Sequence, residues 1–296
     1  MLTINNLSKK FGDFQVLKNI NINADKGSIY GLVGSNGCGK TTILKHIMKV
    51  YKQDDGSITF NGEEVVEGSD IIKDFYFVQD TLYFPYQYTL NKLFHYEKLM
   101  YNMSEEKFEY LLKYFNIDKN KVLNKMSKGQ KKQAAFVLSI AAQPRLLLLD
   151  EIVDGLDAVI KRKFWDVLIK EIIDNNMTVV ISSHDLKELD NICDRVGIMH
   201  EGRILREENL EKMKEDIKRV QFAVEGEFDP DKLKEFNVLQ VVKIGSVFIA
   251  TLTGNIDELK KYLESKYTLL LFDKLSMSLE EIFITELGGV GYGKEK

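Results

Sequence analysis

One stretch, Gly34-Ser35-Asn36-Gly37-Cys38-Gly39-Lys40-Thr41, constrains this chain more than any other, because it matches the phosphate-binding pattern G-x-x-x-x-G-K-[ST]. Its three glycines let the backbone curl tightly enough for successive N–H groups to face inward. The helix expected to follow adds the positive end of its dipole to that cup. Lys40 is placed to reach the β- and γ-phosphates of a nucleoside triphosphate, and the Thr41 hydroxyl to serve as one ligand of a Mg²⁺ that keeps most of its waters. Thr42 continues as an ordinary helix residue. Both flanks agree: Ser28 to Val33 reads as a mostly apolar strand, and Ile43, Leu44, Ile47 and Met48 recur at helical spacing. A Gly-rich surface turn predicts neither flank.

A chain of 296 residues holds one large α/β domain, or a core of about 200 residues with a small appendage. With 44% hydrophobic and 29% charged residues and only 3 prolines, the composition is that of a globular protein in water. No apolar run approaches the ~18 residues of a membrane helix, and Met1 to Asn6 lacks the regions of a signal peptide, so a cytoplasmic location is expected. Cys38 and Cys193 fit no metal spacing and read as reduced thiols. A net charge of −4 gives no electrostatic footprint for nucleic acid.

Residues 2 to 7 and 16 to 24 read as strands joined by a turn at Gly12-Asp13. Phe11 sits at that turn, and its spacing alone fits two roles equally: lying flat on a nucleotide base, or packing under the hairpin. Phe75 to Val78 reads as a buried strand. Gln79 follows at its carboxyl end, where α/β sheets bind ligands, as a Mg²⁺ or water contact or as a solvated strand end. The aromatic run Tyr83, Phe84, Tyr86, Tyr88 is either a docking surface or packing between subdomains. From about 85 to 142 the pattern is helical, with Phe108, Leu111, Leu112 and Phe115 on one face behind the cap Ser104.

Ser127 then caps a helix that begins Lys128-Gly129-Gln130, a second anion site that a single nucleotide does not need in its own subunit. The economical assignment is to a nucleotide held by another copy. Leu146 to Leu149 is an apolar strand ending in two carboxylates: Asp150 for Mg²⁺ through its water shell, Glu151 to polarise the water that attacks the γ-phosphate. Asp154 to Asp157 makes a turn into a helix near Ala158. Thr178 to Ser182 is a further strand, and His184 follows at the sheet edge shared with the loop and Glu151, close enough to orient water. His46, His95 and His200 read as satisfied in place.

Beyond about residue 215 the order is strand (220 to 224), helix (231 to 236), strand (239 to 244), strand (247 to 252), helix (256 to 267) and strand (269 to 272), a split βαβ pattern. Ser278 caps a closing helix, and 288 to 296 reads as a flexible tail. No phosphate, metal or nucleophile motif falls in this part.

In this order the pieces resemble the nucleotide-binding subunit of ABC transporters across residues 1 to 210: the phosphate loop, Gln79 as Q-loop, Ser127 to Gln130 as signature, Leu146 to Glu151 as Walker B, Asp154 to Asp157 as D-loop and His184 as switch histidine. The resemblance implies a phosphate-loop NTPase cassette of α/β class, with a RecA-like core, an antiparallel β subdomain and a helical subdomain at 85 to 142. An α+β accessory domain at 215 to 287 would follow. It implies an ATPase using ATP and Mg²⁺, with Lys40, Gln79, Glu151 and His184 as catalytic groups and Thr41, Gln79 and Asp150 at the metal. Nucleotide contacts would be Phe11, Gly34 through Thr42, and Ser127, Gly129, Gln130 and Asp157. Two ATP-binding subunits, identical or different, would pair head to tail beneath a separate transmembrane permease on the inner face of the membrane.

Three positions depart from the family pattern: Lys128 replaces a glycine of the signature, Ile152 a proline, and Phe11 a tyrosine. None removes a catalytic atom. The strings Asp154-Gly155-Leu156-Asp157, Ser182 to Leu186 and Cys193 to His200 are similar to Gram-positive exporters of small peptides or cell-envelope antibiotics. ABC ATPases outside transport carry long heptad insertions or tandem cassettes, and neither occurs here. A non-catalytic partner in a heterodimer is disfavoured by Glu151 and His184 both being present.

Overall fold

The computed structural model describes residues 1–289 and divides into two compact units, Met1–Glu207 and Glu208 onward. In the first unit the apolar runs Ile29–Gly34, Leu146–Asp150 and Thr178–Ser183 are buried along their whole length. That is the signature of central parallel strands covered on both faces. They lie in a six-stranded sheet together with Phe75–Val78, Arg195–His200 and Arg203–Asn209. The order from one edge is 203–209, 195–200, 29–34, 178–183, 146–150, 75–78.

A second, antiparallel sheet joins Leu2–Phe11 and Phe14–Ala24 through the turn at Gly12-Asp13 and adds Asp55–Phe60 and the short Glu63–Glu64. The helix Lys40–Ile47 buries Ile43, Leu44 and Ile47 in one apolar cluster with Leu2, Ile4 and Ile22 of this sheet and Leu146, Leu148 and Val180 of the parallel one. Helix and both sheets thus share a core directly beneath the phosphate loop.

The helical segment contains Leu90–Glu97, Glu105–Phe115 and Lys128–Ala141, whose N-termini are capped by the hydroxyls of Thr89, Ser104 and Ser127. Phe94 stacks on Phe108 at 4.1 Å between ring centroids, and Phe136 stacks on Phe164 of the helix Ala158–Asn175 at 3.6 Å. Tyr83 and Tyr86 are 89% and 82% exposed, which puts these two on the surface rather than in packing between subdomains. Phe84 and Tyr88 are half-buried.

In the second unit a four-stranded sheet runs in the order Val238–Ile244, Val247–Leu252, Lys218–Val224, Leu269–Leu275, with antiparallel neighbours. Val220, Phe222, Phe248 and Leu252 meet Leu259 and Leu263 of the helix Ile256–Lys266 in its core. Pro230–Phe236, expected as an α-helix, is a 3₁₀ helix. Ser278 caps the closing helix through a bond from the Glu281 N–H to its hydroxyl. That helix runs through Gly289, so 288 and 289 belong to it and not to the flexible tail expected from 288; the rest of that expectation, 290–296, lies outside the described residues.

Candidate nucleotide site

The parallel register builds the site. Val33 pairs with Ser183 and Asp150 with Ser182, so the phosphate loop, the two carboxylates and His184 leave the sheet at the same carboxyl edge. The loop is packed too closely for side chains: a Cβ on Gly34 would lie 2.4 Å from the Met199 carbonyl oxygen. Gly39 has φ +113°, a left-handed conformation that suits glycine, and it leads into Lys40–Ile47 without any side-chain cap. The open N–H groups at this helix start, unlike those of the capped helices, are left for an anion.

Lys40 is buried and lies along the loop, its ammonium donating to the carbonyls of Gly34 at 2.7 Å and Ser35 at 3.3 Å, with Glu151 Oε1 3.4 Å away. Thr41 Oγ1 donates to Asp150 Oδ2 at 2.7 Å, and Ser182 Oγ donates to Asp150 Oδ1 at 2.5 Å. Burial raises the Asp150 pKa, and those two hydrogen bonds oppose the rise. Thr41 and Asp150 therefore form a pair of hard oxygen donors beside the phosphate loop, which fits Mg²⁺. Glu151, Asp154 and His184 also offer ligand atoms within 4.8 Å of one another, but the imidazole suits Mg²⁺ less well than an all-oxygen set.

Glu151 sits at φ +50°, in the left-handed region that few non-glycine residues adopt. Its second oxygen accepts from His184 Nδ1 at 2.6 Å, while His184 Nε2 lies 3.8 Å from Asp154 Oδ2. The carboxylate is thus gripped between an ammonium and an imidazole. Asn36, Gly37, Lys40, Glu151, Asp154 and His184 line one cleft of about 390 Å³, together with Thr41 and Thr42. Cys38 is buried behind the loop, and burial raises its thiol pKa.

The remaining expected residues stand apart from this cleft. Gln79 is exposed at its strand end, and the residue lining the cleft there is Asp80. Phe11 is exposed at the hairpin, met edge-on by Tyr51 at 5.2 Å with Lys9 over its ring at 5.5 Å. Ser127 and Gln130 close a capping box on their own helix, and Lys128 is the signature residue that lines the cleft. The Asp157 carboxylate caps the helix Ala158–Asn175 through the N–H groups of Val159 and Ile160. His46 bonds Thr42 O through Nδ1, but its buried Nε2 has no hydrogen-bond partner.

Ser182, Asp80 and Lys132 escaped the sequence reading. Lys132 is 1% exposed. In sequence it is the second of two adjacent lysines and looks like a solvated face; its one readable signal is its position one helical turn after Lys128.

A phosphate loop with an uncapped helix, an oxygen pair for a divalent cation and a carboxylate–histidine pair define a nucleoside-triphosphate-hydrolysing cassette. The ABC transporter family matches residues 17–154. Over 98% of its length the chain is 32% identical to the ABC transporter ATP-binding protein YtrB of Bacillus subtilis, 99% of which is covered. It is 29% identical to the bacitracin transport ATP-binding protein BcrA of Enterococcus faecalis, over 97% of this chain and 96% of that one. Among solved structures, the dimeric post-hydrolysis state of the cassette MJ0796 bound to ADP and Pi superposes with a TM-score of 0.63 at 26% identity, covering 71% of this chain and 99% of that one. The chain belongs to the ATP-binding subunits of ABC transporters. It is an ATPase that uses ATP with Mg²⁺, similar to the ATPases of antibiotic and peptide transport.

Proposed function

We propose that the chain powers export of a peptide or envelope-active compound through a separate permease, from the inner face of the membrane. In this reading it works as a two-subunit assembly that closes on ATP. The observation that carries the catalytic assignment is Glu151 held between Lys40 and His184 at the end of its strand. Glu151 accepts a hydrogen bond from the attacking water and takes the proton it gives up, and His184 keeps the carboxylate aimed, while the water oxygen bonds to the γ-phosphorus and the bond to the bridging oxygen breaks, that oxygen leaving on ADP. Lys40 leaves the loop carbonyls to meet the phosphates. Thr41 and Asp150 would hold Mg²⁺, which when bound would neutralise phosphate charge. Phe11 stacks on the base, and Gln79 reports the γ-phosphate to the permease.

Pairing of subunits is supported by the dimeric state of the similar cassette MJ0796; Ser127, Gly129 and Gln130 lie outside their own subunit's cleft, although Lys128 lines it, and with Asp157 they are assigned to the partner's nucleotide. The transport of bacitracin named for BcrA supports the cargo class. No helix among the described residues is long and apolar enough to cross a membrane, and the exposed Tyr83 and Tyr86 beside Gln79 offer a permease helix an aromatic surface. Replacing Glu151 by Gln should lower turnover by roughly 10²–10⁴ while ATP binding survives. Undiminished steady-state hydrolysis by that variant would remove Glu151 from the mechanism. Copurification of a membrane protein with the tagged chain identifies the permease, and recovery of a DNA-bound or ribosomal complex in its place would defeat the transport reading.

A further inference from the structure

Lys132 lies in the helix Lys128–Ala141, almost wholly buried, and its ammonium has three donors. One donates to the Glu151 carbonyl at 2.7 Å and one to the Asp154 carbonyl at 2.9 Å, while Asp80 Oδ1 lies 3.6 Å away. A single cation thereby joins the signature helix, the loop that carries Glu151 and the segment that follows Gln79. A buried ammonium is costly unless its donors and its charge are met; here two donors meet carbonyl oxygens and the Asp80 carboxylate stands at ion-pair distance. Burial lowers the Lys132 pKa and Asp80 opposes that shift.

We infer that Lys132 is a positioning residue for hydrolysis: by clamping the main chain of Glu151 and Asp154 to the signature helix, it makes the aim of the Glu151 carboxylate follow that helix. The inference deepens the reading of Glu151 given above and rests on it. The clamp acts on a residue in the left-handed region. Glu151 is left-handed, its N–H donates to Ser182 O at 3.1 Å, and its carbonyl also accepts from the Asp154 N–H at 3.3 Å. Losing the ammonium leaves the carbonyl side of that residue with only the longer bond from the Asp154 N–H, while the amide side stays fixed to the sheet. The carboxylate is then free to swing away from the position between Lys40 and His184.

The test uses the full chain with Lys132→Met, which keeps length and removes every donor, and Lys132→Gln, which keeps an N–H donor without charge. Steady-state hydrolysis, equilibrium binding of a fluorescent ATP analogue and thermal melting are measured beside Glu151→Gln. The expected result for Lys132→Met is a kcat loss on the order of 100-fold, the scale of about 1 Å of misplacement, with the nucleotide Kd unchanged. Lys132→Gln should recover part of that loss. Full turnover by a folded Lys132→Met chain overturns the inference. So does loss of nucleotide binding in step with turnover, or failure of both variants to fold, since either assigns Lys132 to the fold alone. Hydrolysis that survives in Glu151→Gln overturns the underlying reading instead, a result separable from the others because it appears in the reference variant.

Discussion

At the residue scale the site is made by pairs whose members are far apart in sequence. Asp150 is readable as a carboxylate after four leucines, but its bonds to Thr41 and Ser182 come from the alignment of three strands. A second carboxyl illustrates a quantity that sequence cannot carry. Glu97, at the end of its helix, is half-buried and accepts from the Tyr76 hydroxyl at 2.8 Å, and burial pushes its pKa from 4.5 to about 7. Between those values the folded chain holds a proton that the unfolded chain releases, so stability falls as pH rises from about 4.5 to 7, by up to about 3 kcal/mol. Glu97→Gln keeps an acceptor for Tyr76 and removes the titration. Its denaturant midpoint should therefore change less than the wild type's between pH 5 and 8, measured by urea melts; equal pH dependence in the two proteins would contradict the assignment.

At the element scale the start of the helix Lys128–Ala141 carries a cap on the same residues that are proposed to meet a second subunit's nucleotide. Ser127 and Gln130 satisfy its first N–H groups reciprocally, so the signature is also a capping box. Ser127→Ala should thus cost about 1 kcal/mol of stability, a fall in Tm of roughly 2–4 °C for a unit of this size. Ser127→Arg removes the same cap and adds bulk where the second subunit's nucleotide would sit. In the Glu151→Gln background with ATP, sedimentation should find the parent dimeric and the Ser127→Arg form monomeric, while the two Ser127 variants melt alike. Dimers that persist in the Ser127→Arg form would contradict the composite site. The aromatic run belongs to the same scale: alanine at the exposed Tyr83 and Tyr86 should leave Tm and basal hydrolysis nearly unchanged but weaken permease association. Melting far below the wild type would show these rings to be packed.

At the scale of the whole molecule, the division after Glu207 falls within the edge strand Arg203–Asn209. A chain ending at Asn209 keeps that strand and the complete nucleotide site, and it should fold and bind ATP with a changed hydrolysis or pairing rate. If it cannot fold while the full chain does, residues beyond 209 contribute to the cassette's stability and the two-domain reading fails. Legible in the chain before any folding is whatever rests on local covalent pattern: the glycine spacing of the phosphate loop, the apolar runs of the parallel strands, the caps Ser104 and Ser127, and the order of motifs that marks the family. Each depends on neighbours within a few residues along the chain. Which groups meet is settled by packing instead. Packing put Asp80 rather than Gln79 on the cleft wall and Ser182 on Asp150, and it buried Lys132 against the carbonyls behind Glu151. Those meetings arise from strand register and helix packing, in which one residue of slip reverses a side chain's direction, and no short window of sequence contains both partners.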